Sequence, residues 1–260
     1  MKKTILAILT AAVTVASSQA QILVAAWDFQ TTTTGGTAVA VSPTTPKVYQ
    51  ANFGAGALLL DGTLGSSDWF VPATGSTNTE LNGFGGTSSN NTASDGTLLS
   101  SVTTSPSALA VVAGAGASPN FAANGKSAVF TFNMAGRSNL TISLSAQRTA
   151  TGFTTQLWEY SANSGLSWTT IGSFVGGSTA GTIRTSFADT GILSFAAFSG
   201  LDGTADARVR VTFTGATSNT GNNRLDNIQF NAVPEPSSSM LMVLGAGALI
   251  GIRSLRRKQS

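Results

Sequence analysis

The feature that most constrains the fold is a strict alternation of apolar and polar residues in two segments. In Leu140–Gln147, leucine, isoleucine and alanine alternate with threonine, serine and glutamine, and in Arg208–Phe213 arginine and threonine alternate with valine and phenylalanine. Successive side chains of a β-strand point to opposite faces, so each segment is predicted to be a strand with one buried face. No sustained 3.6-residue apolar period occurs between Gln21 and Ala232, so the predicted fold class is all-β.

Several shorter segments combine β-branched or aromatic residues with flanking turn residues. These are also predicted strands, at Ala25–Gln30, Ser127–Met134, Thr154–Ser161, Trp168–Phe174, Thr182–Phe187 and Ile192–Phe198. Stretches rich in Gly, Ser, Thr and Asn are predicted to be long surface loops, or chain that orders only against the sandwich, at Thr31–Gly36, Gly75–Gly96 and Ala113–Asn124. Short strands separated by turns at this spacing predict a single β-sandwich domain over residues 21–232.

The first 20 residues are predicted to be a signal peptide. Met1-Lys2-Lys3 is positively charged, Ile5–Ala16 is an apolar run, and Ser18-Gln19-Ala20 places small residues at a signal-peptidase site. A membrane anchor needs about 20 apolar residues, and this run is shorter. Signal peptidase is therefore a predicted processing partner.

The C-terminal end combines a short apolar segment with a basic cluster. Met240–Ile252 contains thirteen residues, which as a helix would span about 20 Å of a hydrocarbon core about 30 Å thick. Basic residues favour the cytoplasmic side of a membrane, and four follow the segment, at Arg253, Arg256, Arg257 and Lys258. The sequence predicts a short transmembrane helix that anchors the chain transiently in the inner membrane.

Three parts in order, Val233-Pro234-Glu235-Pro236, the apolar segment and the basic end, make up residues 233–260. Together they resemble the PEP-CTERM sorting signal of bacteria that produce exopolysaccharide. The resemblance implies that an exosortase recognises Pro-Glu-Pro and removes the tail, and that the protein is secreted or held at the cell surface. Pro234 and Pro236 suit recognition in an extended form, because proline fixes φ and lacks an N–H.

The charge of the chain depends on its two ends. The whole sequence carries a formal charge of +3, with a pI near 9.6. Residues 21–232 contain eight Lys and Arg residues against ten Asp and Glu residues, a formal charge of −2. A weakly acidic domain without a basic cluster is a poor ligand for a phosphate backbone, so no nucleic-acid partner is predicted.

Two stretches carry a second resemblance. Tyr160-Ser161, Asn163-Ser164-Gly165 and Trp168 resemble a hairpin of galactose-binding-like jelly-roll modules. Arg224–Ile228 resembles the closing strand of PEP-CTERM surface proteins, just before the sorting tail. The resemblance implies a jelly-roll-like sandwich over residues 21–232.

The composition restricts the possible chemistry. The chain has no histidine and no cysteine, which excludes Ser-His-Asp triads and Cys-His dyads and argues against the usual zinc and haem sites. A carboxylate pair for glycoside hydrolysis is the remaining enzymatic option, drawn from Asp28, Asp68, Glu80, Glu159 and Asp226. These acids form no recognisable motif, so the protein is predicted not to be an enzyme, and a glycan-active enzyme is the alternative.

Aromatic residues offer a candidate ligand site. Trp158, Tyr160 and Trp168 are a possible glycan platform, because an aromatic face stacks on the apolar face of a sugar ring. The alternative is core packing, which is favoured for each tryptophan because tryptophan is usually well buried.

Two aspartates offer a candidate metal site. Asp226 and Asp28 are a possible calcium pair where the first and last strands meet, as in related jelly rolls. The slightly favoured alternative is a structural role for Asp226 in the last strand, either in an Asx turn or in an ion pair with Arg224, two residues apart on one strand.

The function that this sequence predicts is a non-catalytic structural or carbohydrate-binding component of exopolysaccharide or biofilm.

Overall fold

The computed structural model describes residues 20–29, 47–71, 79–84 and 108–235. Most of the predicted signal peptide, the predicted loop at Thr31–Gly36 and the predicted C-terminal helix lie outside these residues. The described part is all-β, as predicted. Its strands are β1 (Ile22–Trp27), β2 (Val48–Gln50), β3 (Phe53–Gly54), β4 (Gly56–Leu59), β5 (Leu81–Phe84), β6 (Ala108–Val112), β7 (Gly116–Ala117), β8 (Asn120–Phe121), β9 (Ser127–Phe132), β10 (Arg137–Arg148), β11 (Thr155–Ser161), β12 (Thr169–Val175), β13 (Ile192–Phe198), β14 (Ala207–Thr214) and β15 (Asn222–Pro234).

The strands of the described part form two large sheets and a two-stranded ribbon. One sheet has seven strands in the order β13-β10-β15-β1-β3, with β6 paired to β15 and β5 paired to β6. The other has six strands in the order β12-β11-β14-β9-β4-β2. β7 pairs with β8 in the ribbon. β10 with β13, β15 with β6, and β14 with both β11 and β9 pair antiparallel, as does β4 with β9. Antiparallel pairing allows one face of each sheet to be polar and the other apolar.

The two sheets pack face to face around one aromatic core. Trp27 on β1 lies edge-on to Phe130 on β9, with ring centroids 5.1 Å apart, and Phe130 also contacts Phe230 on β15 at 5.1 Å. All three side chains are fully buried. At one side of the sandwich, Phe174 of β12 stacks on Phe195 of β13 at 4.3 Å and closes the gap between the two edge strands. Leu23–Ala232 forms one compact unit, called the body from here.

The alternating segments become the strands that were predicted. On β14, Val209, Val211 and Phe213 are fully buried in the core. Arg210, between two of them, is half-buried and points to the outer face. β10 likewise buries the apolar residues of Leu140–Gln147. The period of two therefore assigns the core-facing side of each strand, although Ser145, Gln147 and Arg208 on the opposite side are also buried.

One strand prediction is wrong. Thr182–Phe187 is not a strand, because Ser186 caps a short helix, α1 (Phe187–Thr190), by accepting a hydrogen bond from the Asp189 N–H.

Two of the stretches predicted to be long loops, or chain that orders only against the sandwich, contain short strands. Gly75–Gly96 contains β5, which pairs with β6 of the seven-stranded sheet. Ala113–Asn124 contains β7 and β8, which pair with each other.

No helix in the described part is long and apolar enough to span a membrane.

A buried ion pair joins the segment that carries β5 to the rest of the body. The Glu80 side chain is 3% exposed, and its Oε2 accepts hydrogen bonds from Lys126 Nζ at 2.5 Å and from the Phe70 N–H at 2.6 Å. Lys126 Nζ also donates to the Asp68 carbonyl at 2.8 Å. One carboxylate therefore connects three separate stretches of the chain.

Candidate sorting motif and surface tryptophan site

The predicted sorting motif begins at the end of the last strand. Val233 and Pro234 are the final residues of β15, both half-buried, and Glu235 is exposed. Proline has no N–H to donate to a neighbouring strand, so it is a suitable residue for the end of a ladder. The rest of the motif and the predicted basic cluster lie outside the described residues, at Pro236, Arg253, Arg256, Arg257 and Lys258.

The hairpin between β11 and β12 is held by its own side chains. Asn163 Nδ2 donates to Ser167 Oγ at 2.8 Å, and Asn163 Oδ1 accepts from the Ser167 N–H at 3.0 Å. Ser161 Oγ accepts from the Gly165 N–H at 2.8 Å. Gly165 has φ +83°, a conformation that glycine adopts without strain. These bonds fix the path of the loop up to Trp168, just before β12.

Trp168 lies on the outer face of the six-stranded sheet and is partly exposed. The guanidinium carbon of Arg210 is 4.3 Å from the centroid of the Trp168 ring, a cation–π contact. Arg210 on β14 is the cross-strand neighbour of Glu159 on β11. Arg210 Nε and Nη2 donate to the same oxygen, Glu159 Oε2, at 2.9 and 2.6 Å. We call Trp168, Arg210 and Glu159 the tryptophan site.

A second ion pair lies beside the tryptophan site. Arg208 Nε and Nη2 donate to the two carboxylate oxygens of Asp206, at 3.3 and 2.8 Å. Arg208 Nη1 donates to the Leu64 carbonyl at 3.3 Å, which brings the loop after β4 over this face of the sheet. Hydrogen bonds from Arg208 and then Ser164 lower the pKa of the Asp206 carboxyl from its ordinary value. Asp206 is therefore charged at neutral pH and offsets the charge of Arg208.

The structure does not bring the three residues of the predicted glycan platform together. Trp158 is fully buried and stacks on Phe130 in the core, with ring centroids 5.9 Å apart. Tyr160 packs against the core and stacks on Phe198 at 5.4 Å. Both point inwards from β11, whereas Trp168 lies on the outer face. The prediction of one shared platform is therefore corrected, and Trp168 alone is available on the surface.

The two aspartates of the predicted calcium pair are both fully buried. Asp28 directly follows β1, and Asp226 lies within β15, the strand beside β1 in the seven-stranded sheet. Asp226 Oδ1 accepts the Asn227 N–H at 2.8 Å, and Asn227 has φ +46°. The described residues contain no group of three or more acidic side chains that would hold a metal ion. A calcium ion here would therefore need carbonyl or amide oxygens for the rest of its six to eight ligands.

Arg224 precedes Asp226 by two residues on β15. It is half-buried, and burial lowers the pKa of its guanidinium from the ordinary value. The predicted alternative to calcium, an ion pair between these two residues, stays a prediction.

Residues 232–258 match the PEP-CTERM protein-sorting motif. The chain carries a PEP-CTERM sorting tail. A PEP-CTERM tail indicates a protein that is exported, sorted by an exosortase and associated with the cell surface. The predicted motif Val233-Pro234-Glu235-Pro236 lies within the matched residues, so the PEP-CTERM prediction is confirmed.

No curated protein matches the sequence. Among solved structures, the body is similar to the K3 cleaved adhesin domain of Lys-gingipain from Porphyromonas gingivalis W83, at 13% identity and a TM-score of 0.30, over 54% of this chain and 81% of that domain. The K2 cleaved adhesin domain of Lys-gingipain gives 11% identity and a TM-score of 0.36, over 81% of this chain and 97% of that domain. An exo-beta-agarase gives 10% identity and a TM-score of 0.30, over 66% of this chain and 26% of the enzyme.

The PEP-CTERM tail was identifiable from the sequence because its parts are contiguous. The tryptophan site was missed as a unit, since its three members come from two strands and a loop. The alternation of apolar and polar residues places Glu159 and Arg210 on the outward faces of their strands. Their pairing depends on the register of β11 against β14, which the sequence does not give.

Proposed function

We propose that this PEP-CTERM protein is a non-catalytic component of an extracellular exopolysaccharide or biofilm matrix, with a structural or carbohydrate-binding role. Its body is proposed to be a single jelly-roll-like sandwich. The observation that carries the proposal is the PEP-CTERM tail, which directs the chain to the cell surface. The tryptophan site, whose ring is partly exposed on the outer face, supports the carbohydrate-binding form of the role.

The state of the carboxyl groups supports a non-catalytic body. Glycoside hydrolysis needs two accessible carboxyl groups on either side of the scissile bond. Asp28 and Asp226 are fully buried, and Glu80 is buried in its pair with Lys126. The other two candidates are paired with cations, Glu159 with Arg210 and Asp68 with Lys47.

Incubation with polysaccharides separates the proposed role from the enzymatic alternative. A fragment of residues 21–235, the body fragment, contains the whole aromatic core. We expect it to sediment with insoluble polysaccharide without releasing reducing sugar. Release of reducing sugar that is lost in Glu159→Gln or Asp68→Asn would instead support the glycan-active enzyme.

The sorting motif gives a testable prediction. Replacing Pro234, Glu235 and Pro236 by alanine in the native host is expected to abolish processing, because the exosortase loses its recognition sequence while the apolar segment and basic end still hold the chain in the membrane. Immunoblots of membrane and secreted fractions would then contain only the longer, membrane-associated form. Replacing Ser237, Ser238 and Ser239 by alanine is the matched control and should be processed normally. Equal processing of the two triple variants would contradict the assigned role of Pro-Glu-Pro.

A calcium ion held by Asp28 and Asp226 is proposed as the alternative to a structural role of Asp226, and the melting temperature distinguishes the two. An ion that binds only the folded state adds free energy of unfolding by mass action, about 2.7 kcal/mol at 100 times its Kd. The melting temperature of the body fragment is therefore expected to rise with calcium and fall with chelator. Asp226→Asn should remove most of that response. A wild-type melt that is unchanged by chelator would favour the pair of Asp226 with Arg224 over the metal.

A further inference from the structure

We propose that the tryptophan site binds an electrically neutral saccharide through a pair of adjacent hydroxyl groups. This inference rests on the proposed carbohydrate-binding role and names the residues and the ligand class. It depends on three observations: the exposure of the tryptophans, the hydrogen-bonding groups beside Trp168, and the charge balance around it.

Trp168 is the one tryptophan of the chain that reaches the surface. The sequence has four tryptophans, and Trp27, Trp69 and Trp158 are each 0% exposed. Arg210 lies over one face of the Trp168 ring, and the Gly65 backbone also lies close to the ring, since a Cβ at Gly65 would be 3.2 Å from Cζ2. A ring fixed before the ligand arrives loses little conformational entropy on binding. Its remaining exposed surface is available to the apolar face of a pyranose.

A donor and an acceptor lie beside this ring. Arg210 uses Nε and Nη2 to bind Glu159 Oε2, and its Nη1 has no protein partner among the described residues. Glu159 Oε1 likewise has no hydrogen-bond partner in the described part of the chain. A guanidinium only donates hydrogen bonds and a carboxylate only accepts them. Glu159 Oε1 can therefore accept a hydrogen bond from one sugar hydroxyl while Arg210 Nη1 donates a hydrogen bond to another. Adjacent hydroxyl groups of a sugar ring have the complementary arrangement.

The charge balance favours a neutral ligand over an acidic one. The charge of Arg210 is offset by Glu159, and that of Arg208 by Asp206. A uronate or sulfate group placed here would lie near two guanidinium groups and two carboxylates, so it would find no excess of positive charge. Binding it would therefore require breaking an existing pair, whereas a hydroxyl pair leaves both ion pairs intact.

Exposed apolar side chains extend the surface next to Trp168. Leu166, at the tip of the β11–β12 hairpin, is 88% exposed, and Leu64 is 49% exposed. The Leu64 carbonyl lies 3.5 Å from the position of a Cβ at Gly165, so the two loops are in contact. This surface continues beyond one ring, which fits a polysaccharide chain better than a single sugar.

Fluorescence quenching of the body fragment tests the proposal. Because three tryptophans are fully buried, acrylamide quenching reports mainly on Trp168. We expect protection from quenching by at least one of the neutral polysaccharides dextran, mannan, galactan and xylan, and none by the acidic polygalacturonate and alginate. Affinity electrophoresis in the same polysaccharides should give about a tenfold loss of affinity for Trp168→Ala. Phe70→Ala, which removes another exposed aromatic ring outside the site, should keep wild-type affinity.

Glu159→Gln separates the ligand classes while keeping the size of the side chain. The variant removes the negative charge that balances the guanidinium of Arg210. We therefore expect it to bind the neutral polysaccharide more weakly than wild type and to bind polygalacturonate, which wild type does not. If Trp168→Ala binds the neutral polysaccharide as well as wild type, or if wild type binds only the acidic polysaccharides, the site assignment is wrong but carbohydrate binding stands. If wild type binds none of the six polysaccharides, both the site and the carbohydrate-binding role are overturned.

Discussion

Val211→Asp is expected to lower the free energy of unfolding of the body by more than about 4 kcal/mol, which is enough to unfold a protein of ordinary stability. Val211 is fully buried at the centre of β14, between β11 and β9. Its cross-strand partners are Trp158 and Ala128, which are also buried and apolar. A carboxylate at this position would be in contact with neither water nor a cation. Urea unfolding of the body fragment measures the decrease in the free energy of unfolding.

Thr214→Asp is the matched control for this substitution. Thr214 is the last residue of the same strand and its side chain is exposed. The same carboxylate there stays in water, so the expected cost is at most about 1 kcal/mol. Equal destabilisation at Val211 and Thr214 would mean that β14 does not bury the face described above.

Glu80→Ala is expected to cost about 3 kcal/mol, the second largest effect. The substitution leaves the Phe70 N–H without its acceptor and Lys126 without its counter-charge. Breaking a buried pair costs about 3–5 kcal/mol, and the lower end applies because the Lys126 side chain is 23% exposed and keeps some hydration. Chemical unfolding followed by circular dichroism would measure it.

Asp68→Ala is the control for Glu80→Ala, because it removes an ion pair with a similar N–O distance that is exposed to solvent instead of buried. Lys47 Nζ lies 2.6 Å from Asp68 Oδ1, and the two side chains are 30% and 68% exposed. A solvated pair contributes at most about 1 kcal/mol. If Asp68→Ala destabilised the body as much as Glu80→Ala, burial would not be the cause of the effect at Glu80.

The local alternation of apolar and polar residues was sufficient to predict two of the long strands. β10 and β14 were predicted because the period of two is a property of consecutive residues, and no other element has to be known. β1 overlaps the predicted segment Ala25–Gln30 over three residues, and β15 contains Arg224–Ile228. Shorter strands such as β5 were missed, because four residues within a Gly- and Asn-rich stretch carry too little pattern, and their pairing with β6 stabilises them instead.

The error at Thr182–Phe187 has a local cause. Its apolar and polar residues suggested a strand, but Ser186 and Asp189 are spaced as an N-cap residue and an acidic residue three positions later. That spacing is a signal for the start of a helix. Gly191, with φ +69°, then ends α1 after one turn.

The candidate surface site depends on contacts that the sequence does not encode locally. Trp158 at the centre of β11 and Trp168 just before β12 belong to one hairpin, and the packing of this hairpin in the sheet buries the first and leaves the second partly exposed. The link between Glu159 and Arg210 spans 51 residues. The sorting tail, in contrast, is a contiguous sequence and needs no tertiary structure to be identified.

The position of β15 has a mechanical consequence for a protein tethered by its tail. β15 lies between β10 and β1, so it is hydrogen-bonded along both of its edges, and its last residue is Pro234 of the sorting motif. A force applied to the C-terminal end acts along this strand and loads the backbone hydrogen bonds on both edges together, in shear. Under force, the lifetime of a fold is set by its unfolding rate. A chain held at the cell surface by this end would therefore resist pulling through a strand that is bonded along both edges.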